Sequence, residues 1–237
     1  MSSTHVMPAI TVTEDENPSK AKVSVVPIAS VTFPPKFEYK VVSKSPRIAT
    51  ISNLLTTEEM QSIIAIAKPR LKASRVVGDG VNSSARSSTS CRIPRAHKDV
   101  MSVLRRLSEI TGYSIDNFET IQVVHYDETQ EYKAHNDWFN PNGETYASHM
   151  KNGGQRLITI FCYLNDVTGG GETCFPKLDL KFAPHAGHAV LWYNRRRKDE
   201  EGGAGMDDRV LHAGTRVTGG EKWGMNVWIR ERKYIKK

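Results

Sequence analysis

The run Tyr132-Lys133-Ala134-His135-Asn136-Asp137-Trp138-Phe139 holds the residue types that could do chemistry. On an extended backbone residues two apart point to the same side, so His135 and Asp137 converge on one point while Asn136 faces away. Two imidazoles and one carboxylate on a shared face, leaving open positions, are the donor set of oxygen-activating ferrous iron. His-x-Asp alone is a weak signal, common on surfaces and in structural roles, and the third ligand must come from elsewhere. His5 lies in a polar N-terminal stretch, His97 starts a helical pattern, His149 sits in a polar loop and His185 stands among turn residues. His125 and His188 read as strand residues that pack or hydrogen-bond. His212, in Val210-Leu211-His212-Ala213-Gly214, closes a strand on a glycine turn ten residues before Lys222, and that spacing favours it.

Lys222 opens a stretch of period two. Trp223, Met225, Val227 and Ile229 fall on one side, toward a core; Lys222, Gly224, Asn226 and Trp228 fall on the other, toward a mouth. A lysine beside a glycine that leaves room can pair with the carboxylate of a small acid. Most strand lysines are simply solvated. The His/Asp/His set is what favours a bound acid here.

Elements must position these groups. Thr56 and Glu59 have the spacing of a capping box, Met60, Ile63, Ile64 and Ala67 repeat at helical intervals, and Pro69 stops the helix. A second helix is predicted over 97–111, with Val100, Val103, Leu104, Leu107 and Ile110 as its apolar stripe and Gly112 as its stop. The folded part opens at 48–55, and after Gly112 strand-like runs cover 120–126, 156–164, 188–193 and 223–230, with glycine-rich turns such as Gly169-Gly170-Gly171 between. Helices followed by short strands indicate an α+β domain in which the helices back a β-sandwich or open barrel. Residues 1–45 are rich in Ser, Thr, Pro and Lys and read as a flexible arm, with an edge strand near 37–42; residues 46–237 form the domain. The polar segments 139–155 and 86–90 have little apolar anchoring, which predicts mobility without substrate.

Of 237 residues, 38% are hydrophobic, enough for a core without a disulfide framework, and three cysteines (Cys91, Cys162, Cys174) show no thiolate-cage spacing. A net charge of +7 favours acidic partners weakly; the densest basic run is Arg195-Arg196-Arg197-Lys198. No secretory signal and no apolar run long enough for a membrane span is visible, so an intracellular, cytoplasmic setting is the simplest expectation. Oligomeric state is not legible.

Residues 48–230 resemble the catalytic domain of the prolyl 4-hydroxylase family, the collagen-type enzymes dependent on 2-oxoglutarate and Fe(II). The matching pieces run in order: Gln122-Val123-Val124-His125-Tyr126; the 132–139 run; Gly153-Gly154-Gln155-Arg156-Leu157-Ile158-Thr159; Tyr163-Leu164-Asn165; Gly169-Gly170-Gly171-Glu172-Thr173-Cys174-Phe175-Pro176; Leu211-His212-Ala213-Gly214; and Gly220-Glu221-Lys222-Trp223. The resemblance implies a double-stranded β-helix (jelly roll) with supporting N-terminal helices. It implies Fe(II) on His135, Asp137 and His212, the far carboxylate of 2-oxoglutarate on Lys222, consumption of O2, and ascorbate as reductant. Tyr126 matches the family tyrosine that bonds the cosubstrate, and Thr159 and Tyr163 share a strand face at the same pocket. Arg86, Ser88, Glu119, Tyr132, Arg156 and Trp228 match positions at the groove for a proline-containing peptide or protein. Arg230 stands where relatives acting on proline-rich chains carry histidine, which implies a basic groove edge suited to an acidic substrate segment. Two other readings compete: the same chemistry on another protein residue or on nucleic acid, and a metal-free jelly-roll binding module. Against nucleic acid, the stacking residues and dense phosphate-contacting patch are not evident. Against a binding module, such a protein needs no set of His135, Asp137, His212 and Lys222.

Overall fold

The computed structural model describes residues 9–11, 24–26, 37–74, 87–200 and 202–235. The chain divides into two units, Met1–Phe33 and Pro34–Lys237. In the first, β1 (Ala9–Thr11) pairs antiparallel with β2 (Ser24–Val26). The second runs β3 (Glu38–Lys44), β4 (Arg47–Ser52), α1 (Thr57–Ala67), β5 (Lys72–Ala73), β6 (Thr89–Ile93), α2 (Lys98–Thr111), β7 (Ile121–Tyr126), β8 (Tyr132–His135) and α3 (Tyr146–Lys151). It continues through β9 (Arg156–Tyr163), β10 (Gly169–Gly170), β11 (Thr173–Phe175), β12 (Leu180–Phe182), β13 (Ala189–Tyr193), β14 (His212–Gly214), β15 (Val217–Gly219) and β16 (Lys222–Arg230).

The helices form where the sequence signals them. Thr56 accepts from the Glu59 amide and Glu59 returns a bond to the Thr56 amide, the reciprocal pair that satisfies two otherwise orphaned donors. The same Glu59 carboxylate accepts from buried Arg106 of α2 at 2.5 Å, so one residue caps α1 and ties it to α2. Gly112 ends α2 with φ 73°, a left-handed turn that glycine adopts without strain.

An eight-stranded antiparallel sheet has the order β3-β4-β13-β9-β16-β7-β6-β5, with β9 and β16 near its middle. A four-stranded sheet, β12-β11-β14-β8, and the pair β10–β15 complete the double-stranded β-helix. Alternation sorts the faces of the large sheet. Ile158, Ile160 and Cys162 of β9 and Trp223, Met225, Val227 and Ile229 of β16 join Ile63, Val103, Leu104 and Leu107 of the helices in one core. Each such aliphatic side chain removed from water contributes about 1.5–3 kcal/mol. The opposite face carries Tyr126, Phe161, Tyr163 and Trp192, which pack with Phe175, Val210 and Val217. Among the described residues no helix is long and apolar enough to cross a membrane.

Two segments differ from the sequence expectation. Residues 139–155 contain α3 and are anchored. Gln155 brackets Phe139 by accepting from its amide at 2.8 Å and donating to its carbonyl at 2.7 Å, while the Phe139 and His149 rings stack at 4.1 Å. Of residues 86–90, Arg86 lies outside the described residues, and Thr89 and Ser90 open β6. Backbone pairing with β5 and β7 organises Thr89 and Ser90, and side-chain bonds organise 139–155; neither is visible in local composition.

Candidate active site

Register brings the three predicted ligands together. His135, the last residue of β8, lies directly across from His212, the first of β14. Such cross-strand partners hold their Cβ atoms about 5 Å apart. Asp137 follows two residues after His135, and one ligand atom from each of the three lies within 4.8 Å of the other two. Both imidazoles are oriented in the same way: each Nδ1 sits against the carbonyl two residues earlier, Lys133 at 2.9 Å and Val210 at 3.0 Å. A carbonyl can only accept, so Nδ1 carries the proton and each Nε2 lone pair is left to face Asp137. Tyr132 stacks on His135 at 3.7 Å, and Trp192 lies 4.6 Å from His212, which fixes both rings.

Asp137 is buried, which by itself would raise its pKa. His212, His135 and Arg156, with a hydrogen bond from Trp228, outweigh burial and hold the carboxyl down at about 2. Its Oδ2 accepts from Thr159 Oγ1 at 2.8 Å and from Trp228 Nε1 at 3.0 Å. Thr159 on β9 and Trp228 on β16 are register partners, so two adjacent strands support one oxygen. Asn194, fully buried, donates to Thr159 Oγ1 at 2.9 Å and aligns that hydroxyl. This donor set, an ionised carboxylate and two imidazoles whose Nε2 atoms face it at 3.8 and 3.7 Å, fits Fe(II).

Lys222 lies across from Tyr126, with only 2% of its surface exposed. Its Nζ stands 4.9 Å from the centre of the Phe161 ring, 5.5 Å from Tyr126 and 5.7 Å from Tyr163. Among the described residues it forms no ion pair. Burial lowers its pKa to about 7, against the opposing pull of Glu172 and Cys174. Lys222, Tyr126, the His/Asp/His set and Trp228 line one cavity of about 380 Å³. An amine in a ring-walled recess with no carboxylate of its own fits the distal carboxylate of 2-oxoglutarate. The room beside Gly224, however, is taken by the protein. A Cβ there would stand 2.2 Å from Phe161 Cζ, so the glycine admits the ring that walls the amine rather than a ligand.

The remaining predicted residues separate. Tyr126, Tyr132, Arg156 and Trp228 line the cavity. Thr159 is fully buried behind Asp137, and the Tyr163 hydroxyl donates to Thr173 Oγ1 at 2.8 Å beneath the wall. Glu119 is buried, accepting from Arg156 at 2.7 and 3.1 Å and from Arg230 at 2.9 Å. Ser88 is buried and donates to Ser74 Oγ at 2.9 Å, and Arg86 lies outside the described residues. Arg230 corrects the expectation of a basic groove edge. It is 2% exposed, and its guanidinium donates to Glu119 and to the carbonyls of Gly154 and His149. Asn194 and Gln155 were not singled out from sequence. The period-two row Val190, Trp192, Asn194, all buried, carries the only local sign of the first.

A jelly roll that holds two histidines and an aspartate opposite a buried lysine defines a class, the 2-oxoglutarate- and Fe(II)-dependent dioxygenases. Comparison with known proteins agrees: residues 121–230 match the family described as the 2OG-Fe(II) oxygenase superfamily. Prolyl 4-hydroxylase 5 of Arabidopsis thaliana is 34% identical over 214 residues, covering 80% of this chain and 70% of that protein. The chain belongs to the prolyl 4-hydroxylase family. Among solved structures, the viral collagen prolyl hydroxylase of Paramecium Bursaria Chlorella virus-1 in its 2OG complex superposes with a TM-score of 0.60 at 26% identity, covering 77% of this chain and 95% of that one. A Trichoplax adhaerens prolyl hydroxylase, in complex with a hypoxia inducible factor oxygen degradation domain peptide fragment, shares the fold at 16% identity and a TM-score of 0.53, over 78% of this chain and 83% of that one.

Proposed function

We propose that this enzyme hydroxylates proline at C4 within a polypeptide. In this reading His135 and His212 hold Fe(II) through Nε2, Asp137 holds it through a carboxylate oxygen, and Lys222 receives the distal carboxylate of 2-oxoglutarate. The observation that carries it is the buried amine of Lys222, without an ion pair among the described residues, in the same cavity as the His/Asp/His set. When bound, Fe(II) with 2-oxoglutarate supplies the oxidation, in which O2 and 2-oxoglutarate are consumed, one oxygen atom goes to proline, and succinate and CO2 leave.

The chain's own residues do the positioning. Trp228 and Thr159 occupy Asp137 Oδ2, which leaves Oδ1 for the metal. Thr159, first read as touching the cosubstrate, acts through Asp137. Tyr163 acts as a wall beside Lys222. On the substrate side, Tyr132, Trp138, Phe139, Tyr146 and Trp228 give the cavity aromatic faces on which a flat, apolar proline ring packs. Arg92, Arg156, Gln122 and Asn226 supply donors for the carbonyls of an extended peptide. Glu119 serves this surface indirectly by holding Arg156, whose guanidinium lies 3.7 Å over the Trp228 ring.

The test is mass spectrometry of a panel of proline-containing peptides incubated with protein, Fe(II) and 2-oxoglutarate. A gain of one oxygen on proline is expected. Succinate formation with the oxygen on another residue type, or on none, would end the prolyl reading.

A further inference from the structure

The basic run Arg195-Arg196-Arg197-Lys198 takes no part in the cavity described above. It follows β13 and, with Arg47, Tyr113, Leu157 and Tyr193, lines a second cavity of about 350 Å³. Tyr113, Leu157 and Tyr193 pack against the helix-side core, so this cavity opens on the face of the large sheet away from the iron ligands. The Arg47 guanidinium lies 3.3 Å over the Tyr193 ring, which holds the fork flat and leaves its edge donors for a planar acceptor.

Among the described residues the charges here are only partly paired. Arg195 pairs with Glu231 at 3.3 Å and Arg197 with Asp199, but Arg47, Arg196 and Lys198 form no ion pair among the described residues. Arg47 and Arg196 each also hold a buried Nε–H with no acceptor among the described residues. A buried donor left unmade is costly, and gathered like charges add repulsion. An anionic partner relieves both. The chemistry favours separate carboxylates over a phosphate backbone: Asp199, Glu200 and Glu231 interleave with the cations and would repel a continuous polyanion. Arg47 covers the tyrosine face that a base would need for stacking.

We propose that this second cavity docks an acidic stretch of the polypeptide substrate, apart from the proline being hydroxylated. This rests on the reading of the enzyme as a polypeptide hydroxylase. Leu157 lines the docking cavity and the preceding Arg156 lines the active one, so both open at the start of β9 and one chain can reach both around the sheet end.

Fluorescence anisotropy of a labelled, proline-free dodecapeptide in which Asp and Glu alternate with Gly and Ser, against the intact protein, tests the site without catalysis. The Arg47→Gln/Arg196→Gln double variant should weaken binding at least about tenfold, and added salt should weaken wild-type binding. Lys198→Glu, at an exposed position, should also weaken it and keeps the test valid if the double variant does not fold. With proline peptides, an acidic flank should lower KM for wild type only, and kcat on a neutral peptide should be the same in both proteins. Equal affinity of wild type and variants for the acidic peptide would overturn the proposal. So would tighter binding of an oligonucleotide of equal charge through the same arginines. Acidic-peptide binding that the variants lose, with no hydroxylation of any proline peptide by wild type, would support the docking site and sink the prolyl reading.

Discussion

Replacing Lys222 by methionine keeps the stem volume and removes the charge proposed to meet the distal carboxylate of the cosubstrate. The amine stands among the rings of Phe161, Tyr126 and Tyr163, 4.9–5.7 Å from their centres. In wild type the free amine has a pKa near 7. Charging it at neutral pH therefore costs only about 0.4 kcal/mol, a factor of two. A buried carboxylate with no partner costs about 3–5 kcal/mol. The difference predicts a loss of 2-oxoglutarate affinity of roughly two to three and a half orders of magnitude in Lys222→Met, while Fe(II) affinity hardly moves. Anaerobic calorimetric titration of 2-oxoglutarate into the Fe(II)-loaded protein measures both. Affinity within about threefold of wild type would show that another group holds the distal carboxylate and would refute the placement.

The same lysine gives the binding a pH signature whose sign is fixed. Its free-state pKa is depressed by burial, and the arriving carboxylate restores the charge. Below about pH 7 the amine is already protonated and affinity is full. Above it each binding event must take up a proton, so affinity falls as pH rises. Between pH 7 and 9 wild type should lose roughly fiftyfold, whereas Lys222→Met and Lys222→Arg should show no such slope, arginine being charged throughout.

Three further outcomes follow from the packing. Trp228→Phe keeps a ring under Arg156 but removes the donor to Asp137, so Fe(II) affinity should fall roughly tenfold in anaerobic titration with the fold intact. Gly224→Ala puts a methyl against Phe161 and displaces the ring that lies 4.9 Å from the Lys222 amine; the Kd for 2-oxoglutarate should rise well before that for Fe(II) does. Glu119→Gln leaves two buried guanidinium groups facing a neutral acceptor and should lower stability by about 3–5 kcal/mol in urea titration. Burial opposes the Glu119 charge, but Arg156 and Arg230 lower its pKa below the ordinary 4.5. Its contribution is therefore present above that value and lost as pH falls through the lower folded value, so the stability gap between wild type and variant should close in acid.

What the sequence discloses and what it hides follow from the range of the interactions. The α1 capping box, the Gly112 stop and the two faces of β16 depend on neighbours within a few residues, and each stands in the structure as its pattern implies. His135 and Asp137 are close by strand geometry alone. Their meeting with His212 depends on a register that no local pattern specifies, and there it was spacing to Lys222 and family resemblance that pointed to the partner. The three-residue strands β11, β12 and β14 are too short to show a period. Arg230 misleads for a related reason. Charge marks it as a surface residue, yet Glu119, 111 positions earlier, and two backbone carbonyls make its burial tolerable.

The inner row of β16 explains how one strand can serve both halves of the reaction. Lys222 and Trp228 are six residues apart, which at about 3.3 Å per residue separates the proposed cosubstrate anchor from the carboxylate support by roughly 20 Å along the backbone. Gly224 lies in that row because Phe161 crosses it to wall the amine, and Asn226 faces the same cavity further on. At the far end Trp228 meets three groups at once: Asp137 through its indole N–H, Arg156 on its ring face, and the cavity itself. A peptide that presses on Trp228 thus bears on a side chain already committed to the metal's carboxylate, whereas the pocket of Lys222 is separately walled. Substrate-side changes should accordingly disturb metal binding through Trp228, and cosubstrate-side changes should not.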